Sequence, residues 1–303
     1  MKHSIRTTAL LLTLFLLTQL VGLVVVDNYI DKEATEKTGA VTYKDLPYHI
    51  ERPNVSPQES IWLILAGVGI GTAILLVLIK FRKVGLWKVW FFLSVAITLS
   101  MALASFIPAA AALAASIGLA AWKTFRPNIY VHNITEVFIY GGLAAIFVPM
   151  LNILYATILL LAISAYDAIA VWQSRHMVTM AQFQTSTGIF SGLYLPKEAH
   201  HGRRREKAEF QPGKAAGQPA KPQEKETSAV LGGGDMGFPL IFAGVALKTL
   251  PFAQVLIIPA AAGLAILGLM VFGKQNKFYP AMPFITAACL LGYGLSVFLA
   301  LYA

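Results

Sequence analysis

The chain carries one cysteine, Cys289, in 303 residues, and only 13% of its residues are charged. A lone cysteine excludes an intramolecular disulfide and a cysteine-based metal site, and its place in the last apolar run assigns it to helix packing. The six histidines, His3, His49, His132, His176, His200 and His201, fall at the edges of apolar runs or in polar connections. There is no His-Glu-x-x-His stretch, so that zinc-hydrolase pattern is excluded, and neither metal nor cofactor is expected. Ser191, in Gly188-Ile189-Phe190-Ser191-Gly192, is one residue off the spacing of a membrane serine protease and lacks a catalytic partner. Acidic residues are scarce too, 15 against 24 Lys and Arg. The surplus of +9 lies mainly in short connections between apolar runs, where membrane topology accounts for it and no nucleic-acid partner is expected.

What the chain does have is apolar length: 57% of it is hydrophobic. Runs such as 10–26 and 61–79 are predominantly apolar throughout, whereas a β-barrel strand alternates over about ten residues. The expected fold is all-α, a polytopic membrane protein built as a bundle of nine transmembrane helices. The spans fall near 5–26, 60–80, 86–106, 109–123, 133–148, 150–173, 230–250, 253–273 and 280–302. Pro108 and Pro149 divide neighbouring spans. The first run follows Lys2 and Arg6 without a small-residue cleavage pattern and reads as a retained signal anchor.

Three parts follow: 1–173, a six-helix part that includes an outer loop at 27–59; 174–229, a largely disordered loop; and 230–303, a three-helix part. Alternating the connections across the bilayer gathers most Lys and Arg on one side, with Arg203, Arg204 and Arg205 among them. The positive-inside rule then places the amino terminus and loop 174–229 in the cytoplasm and the carboxyl terminus outside, in the cell membrane if the source is prokaryotic. Within the loop, the apolar piece 185–195 reads as linker, the alternatives being a segment on the membrane surface or a plug over a site. Tyr29, Tyr43 and Tyr48 suggest that the outer loop packs over the bundle. Gly67, Gly69 and Gly71, and likewise Gly141 and Gly142, are expected to let helices approach closely. Lys248 reads as a snorkelling anchor and Glu136 as a helix-end charge.

Two aspartates interrupt this apolar pattern. Asp167 lies eight residues before Arg175 and Asp235 nine after Glu226, roughly 12 to 14 Å along a helix from the nearest loop charge at about 1.5 Å per residue. Their spans are antiparallel neighbours, so the carboxylates can meet at one depth in the cytoplasmic half of the bilayer. Carboxylates there serve proton transfer, ion passage or hydrolysis. Close together they share one proton, as in an aspartyl protease, where one takes a proton from water and its partner donates to the oxyanion. A proton- or cation-coupled transporter, or an ion leak channel, is the alternative from another class. Gly232, Gly233 and Gly234 weaken helix formation before Asp235 and leave backbone groups able to pair with a bound strand, while Pro280 and Pro283 break regular bonding where the last span begins.

These residues resemble the presenilin and signal peptide peptidase family of intramembrane aspartyl proteases, and most of all an archaeal presenilin homologue. The likeness rests on the Tyr-Asp pair at Tyr166 and Asp167, the Gly-x-Gly-Asp motif at Gly232, Gly234 and Asp235, and a Pro-Ala-Leu-like motif in which Met282 follows Pro280 and Ala281. Met282 replaces the usual Leu at nearly equal volume. The resemblance implies an aspartic-type endopeptidase with Asp167 and Asp235 catalytic. Tyr166, Gly232, Gly233, Gly234, Pro280, Ala281, Met282 and Pro283 would support the site or the substrate. It also implies that transmembrane helices of substrate proteins enter from the lipid bilayer and unwind locally before cleavage. A homo-oligomer is compatible with it. The charge asymmetry matches the presenilin orientation, although Pro239 is a feature of the peptidase branch.

Overall fold

Helix starts in this chain are written largely by proline and by short polar side chains. Ser56 and Glu59 form a reciprocal capping box ahead of Pro57, and the side chains of Asn128 and Asn152 accept from the first-turn amides of the helices that follow them. The computed structural model describes residues 5–173, 180, 183, 184, 187–195, 229–273 and 279–302. Its elements are α1 (Ile5–Asn28), β1 (Ile30–Asp31), α2 (Lys32–Thr38), β2 (Thr42–Tyr43), α3 (Pro57–Lys80), α4 (Val84–Leu103), α5 (Ala109–Phe125), α6 (Ile129–Phe147) and α7 (Ile153–Trp172). There follow β3 (Gly192–Leu195), β4 (Ala229–Gly232), α8 (Gly233–Ala246), α9 (Phe252–Val255), α10 (Ile257–Phe272) and α11 (Met282–Leu301).

Among the described residues, seven helices are long and apolar enough to cross a membrane; α5 and α8 are shorter apolar helices at the other two expected spans. The bundle is inside-out by soluble standards, with Trp62, Ile70, Leu86 and Leu291 on outward faces. Such a continuous apolar exterior is stable only against lipid. The core contains Phe15, Leu160, Met236, Leu240 and Phe242 from α1, α7 and α8. Cys289 of α11 is buried within it, as its packing role requires.

Close helix contacts follow the glycines in one place and not in another. A Cβ at Gly142 would sit 1.7 Å from the Thr98 carbonyl oxygen of α4, and one at Gly141 would lie 3.1 Å from the Cα of Gly22 in α1. Gly67, Gly69 and Gly71 instead face open space, so the close approach expected of α3 does not occur there. This helix packs chiefly on α7 and α4.

The outer loop is fastened onto the bundle by side chains reaching helix-end carbonyls. Tyr29 donates to Met101 at 2.8 Å, Tyr48 to Ala109 at 2.9 Å, and Arg52 to Ala145 at 3.4 Å. Lys248 departs from the snorkelling expectation: its ammonium turns inward and donates to the carbonyls of Pro149 and Leu151, at 3.0 and 2.7 Å. Proline at 149 interrupts the helix and leaves carbonyls there for it to bind.

The seventh span begins differently from expectation. Residues 229–232 are extended as β4, and the helix starts only at Gly233. β4 pairs antiparallel with β3, Gly192 opposite Gly232 and Leu195 opposite Ala229. The end of the apolar piece 185–195 is therefore a strand rather than linker; residues 185 and 186, with most of loop 174–229, lie outside the described residues. Alternation over four residues is too short a signal to separate strand from linker in sequence.

The glycine contacts yield a paired test. Gly142→Ala should destabilise the folded protein in detergent by about 1 to 3 kcal/mol through overpacking, while Gly69→Ala, on an open helix face, should leave the thermal midpoint unchanged or raise it; equal midpoints for the two variants would contradict this packing.

Candidate active site

Asp167 lies in the penultimate turn of α7 and is 5% exposed. One of its carboxylate oxygens accepts the backbone N–H of Met282 at 3.0 Å, and the Ala281 amide also donates to the carboxylate. Both amides open α11, a helix without a capping side chain of its own sequence. Asp167 thus supplies a remote cap, satisfying amides that lipid cannot. One turn back along α7, the hydroxyls of Ser164 and Thr286 meet at 2.6 Å and fix the same pair of helices.

Asp235 is the third residue of α8, and its carboxylate reaches back to the Gly232 amide that precedes the helix. This is half of a capping box, made with Asp in place of Glu. The helix it begins is held from the other side by buried Gln19 of α1, whose amide nitrogen donates to the Met236 carbonyl at 2.9 Å. Pro239 lies inside α8 and brings no amide to the carbonyl of Asp235 four residues back.

Both carboxylates line one cavity of about 540 Å³. Tyr166, Gly232, Gly233, Gly234, Ala281 and Met282 line the same cavity, so these expected site residues are brought together from α7, the β4–α8 junction and the start of α11. Pro280 and Pro283 are not in its wall; Pro280 is buried just before α11, and Pro283 occupies its first turn. Tyr166 reaches across to α3, its hydroxyl 3.0 Å from that of Thr72.

The glycines do more than weaken a helix. Gly233 and Gly234 are helical, and Gly232 carries the extended conformation that starts α8. Only Gly233 is tightly enclosed: a Cβ there would meet the Ser191 hydroxyl at 2.7 Å and the Tyr140 hydroxyl at 2.8 Å, whereas at Gly234 the nearest atom would be 3.8 Å away. Met282 meets Asp167 through its backbone amide, a contact that does not depend on its side chain.

Sequence reasoning missed a second group of polar residues beside the dyad. Glu136 is buried rather than a helix-end charge; it is ion-paired to Lys123 of α5 and accepts from the Tyr140 hydroxyl and from the Gly192 amide at 3.0 Å. Glu136 and Tyr140 are four apart on a helix and therefore share a face, the one signal that pointed to them.

A lipid-exposed helical bundle with two aspartates on one internal cavity is the architecture of an intramembrane aspartate protease. The profile of the family described as signal-peptide peptidase, presenilin aspartyl protease matches residues 12–301, and the chain belongs to that family. It is accordingly an aspartic-type endopeptidase that cleaves within the membrane. Its fold is similar to two solved structures of a presenilin family intramembrane aspartate protease. The one in a C222 crystal form has a TM-score of 0.61 and 18% identity, covering 96% of this chain and 99% of the other. The one in a P2 form has a TM-score of 0.58 and 19% identity, covering 95% and 96%. Among curated proteins no match is found.

The remote cap separates geometry from charge. Asp167→Asn keeps an oxygen for the Met282 amide and Asp167→Ala does not. In detergent the Ala variant should therefore be less stable than the Asn variant by about 1 kcal/mol; equal unfolding midpoints would show that the cap contributes nothing.

Proposed function

We propose that Asp167 and Asp235 are the catalytic dyad, hydrolysing peptide bonds in the transmembrane helices of substrate proteins through one activated water. The observation that carries this reading is that carboxylates from α7 and α8 line a single cavity inside a lipid-facing bundle. The ionised member takes a proton from water as its oxygen bonds to the scissile carbonyl carbon. The protonated member donates to the developing oxyanion, giving a gem-diol; the proton taken from water then passes to the leaving amine as the C–N bond breaks, and one gem-diol hydroxyl returns its proton to the dyad. The remote cap on α11 orients Asp167, and the Gly232 amide orients Asp235.

Tyr166, Ala281 and Met282 shape the wall around the reacting carbonyl, with Pro280 and Pro283 fixing where α11 starts. A substrate must present its scissile bond unwound, because a helical peptide group is shielded and already hydrogen-bonded. The extended β4 segment before Gly232, Gly233 and Gly234 offers backbone groups for such a strand. Nine crossings, with the amino terminus and loop 174–229 cytoplasmic and the carboxyl terminus outside, agree with the Lys and Arg distribution.

Purified protein in vesicles, given a transmembrane peptide, should produce fragments readable by mass spectrometry. Asp167→Asn and Asp235→Asn should each reduce cleavage by at least about 1,000-fold, given the cost of losing either acid–base partner, with insertion unchanged. Cleavage that survives both substitutions would refute this dyad, and ion flux abolished by the same variants without any cleavage would favour transport.

A further inference from the structure

The buried Lys123–Glu136–Tyr140 cluster is costly at membrane depth and plays no part in the chemistry above. It stands beside the β3–β4 pair, and its contacts run without interruption toward the dyad. Lys123 of α5 and the Tyr140 hydroxyl both donate to Glu136, and Glu136 accepts the Gly192 amide of β3 at 3.0 Å. The Ser191 and Tyr140 hydroxyls together enclose Gly233, two residues before Asp235.

The neighbouring residues of α6 extend the same hold. His132 Nε2 lies 2.7 Å from the Gly192 carbonyl oxygen, while Asn133 donates to the Tyr194 carbonyl at 2.9 Å and accepts its amide at 3.0 Å. One edge of β3 is thus satisfied by side chains of a helix, and the other by β4. Gly192 itself has a φ of +132°, and a Cβ there would sit 2.2 Å from the Leu231 carbonyl oxygen. It is therefore fixed by conformation, by close contact and by hydrogen bonds at once.

We infer that Lys123, Glu136 and Tyr140 are positioning residues that lock the β3–β4 register against Asp235 and so select which substrate bond is cut. The inference rests on the proposed dyad. A two-stranded ribbon with glycines at Gly192 and Gly232 resists slipping only weakly, and a slip of one residue exchanges the faces of the strand. A buried ion pair adds little stability over well-packed apolar groups, and register is its best-attested use. The lock reaches β3 at Gly192, directly opposite Gly232, the last extended residue before the catalytic helix.

The decisive variants are Tyr140→Phe, which removes one hydroxyl and leaves the ion pair, and the double variant Lys123→Met with Glu136→Met, which removes both charges together. Wild-type protein should cut a transmembrane peptide at one dominant bond. Both variants should fold and retain a hydroxyl-bearing peptide mimic of the tetrahedral intermediate, yet spread cleavage over neighbouring bonds and lower kcat/KM at the original bond at least tenfold. Amide exchange across 187–195 and 229–232 should accelerate at least tenfold in either variant, whether or not peptide is cleaved. Unchanged cleavage position together with unchanged exchange in Tyr140→Phe would overturn the register lock, even if the double variant fails to fold. Absence of cleavage by the wild type, with exchange still accelerated in Tyr140→Phe, would count against the dyad and not against the lock.

Discussion

Backbone amides and carbonyls at membrane depth have no water to bond, and around the central cavity two aspartates help to meet that requirement. The Asp167 carboxylate accepts the amides that open α11, and Asp235 accepts the amide that precedes α8. Each carboxylate is held where it is because a helix end needs it. Helix termination and the place of both aspartates on one cavity follow from one constraint. It also explains why short extended and proline-broken segments collect around the dyad, since irregular backbone in a bilayer persists only where it lines a protein cavity.

The same constraint organises the rest of the bundle. Lys248 turns inward to carbonyls freed near Pro149, Gln19 reaches the Met236 carbonyl, and α6 presents His132, Asn133 and Glu136 to the free edge of β3. In each case a polar side chain closes a gap left by a break in regular structure. The apolar remainder needs no such care, and its outward faces meet lipid directly.

Most of the bundle was legible in sequence because apolar length is a strong signal: the spans were marked by composition, and Pro108 and Pro149 marked boundaries between them. The aspartates stood out because charge is rare in apolar runs. The strand pair was not legible, since β3 and β4 are four residues each and separated by the long loop. Neither was the role of Glu136, placed near the start of its span where a helix-end charge is the ordinary explanation; its partner Lys123 belongs to the preceding helix, a tertiary contact that no local pattern encodes. The glycines at 67, 69 and 71 were misleading for a physical reason: a small-residue stripe permits close packing but does not bring a partner.

The central claim is that Asp167 and Asp235 bracket one water. An experimental structure of the protein with a hydroxyl-bearing mimic of the tetrahedral intermediate tests it most directly, because such a mimic binds where the transition state forms. The expected result is a hydroxyl hydrogen-bonded to both carboxylates, with the Met282 amide still donating to Asp167. A hydroxyl bound to one carboxylate alone, or a mimic seated outside the cavity, would contradict the dyad.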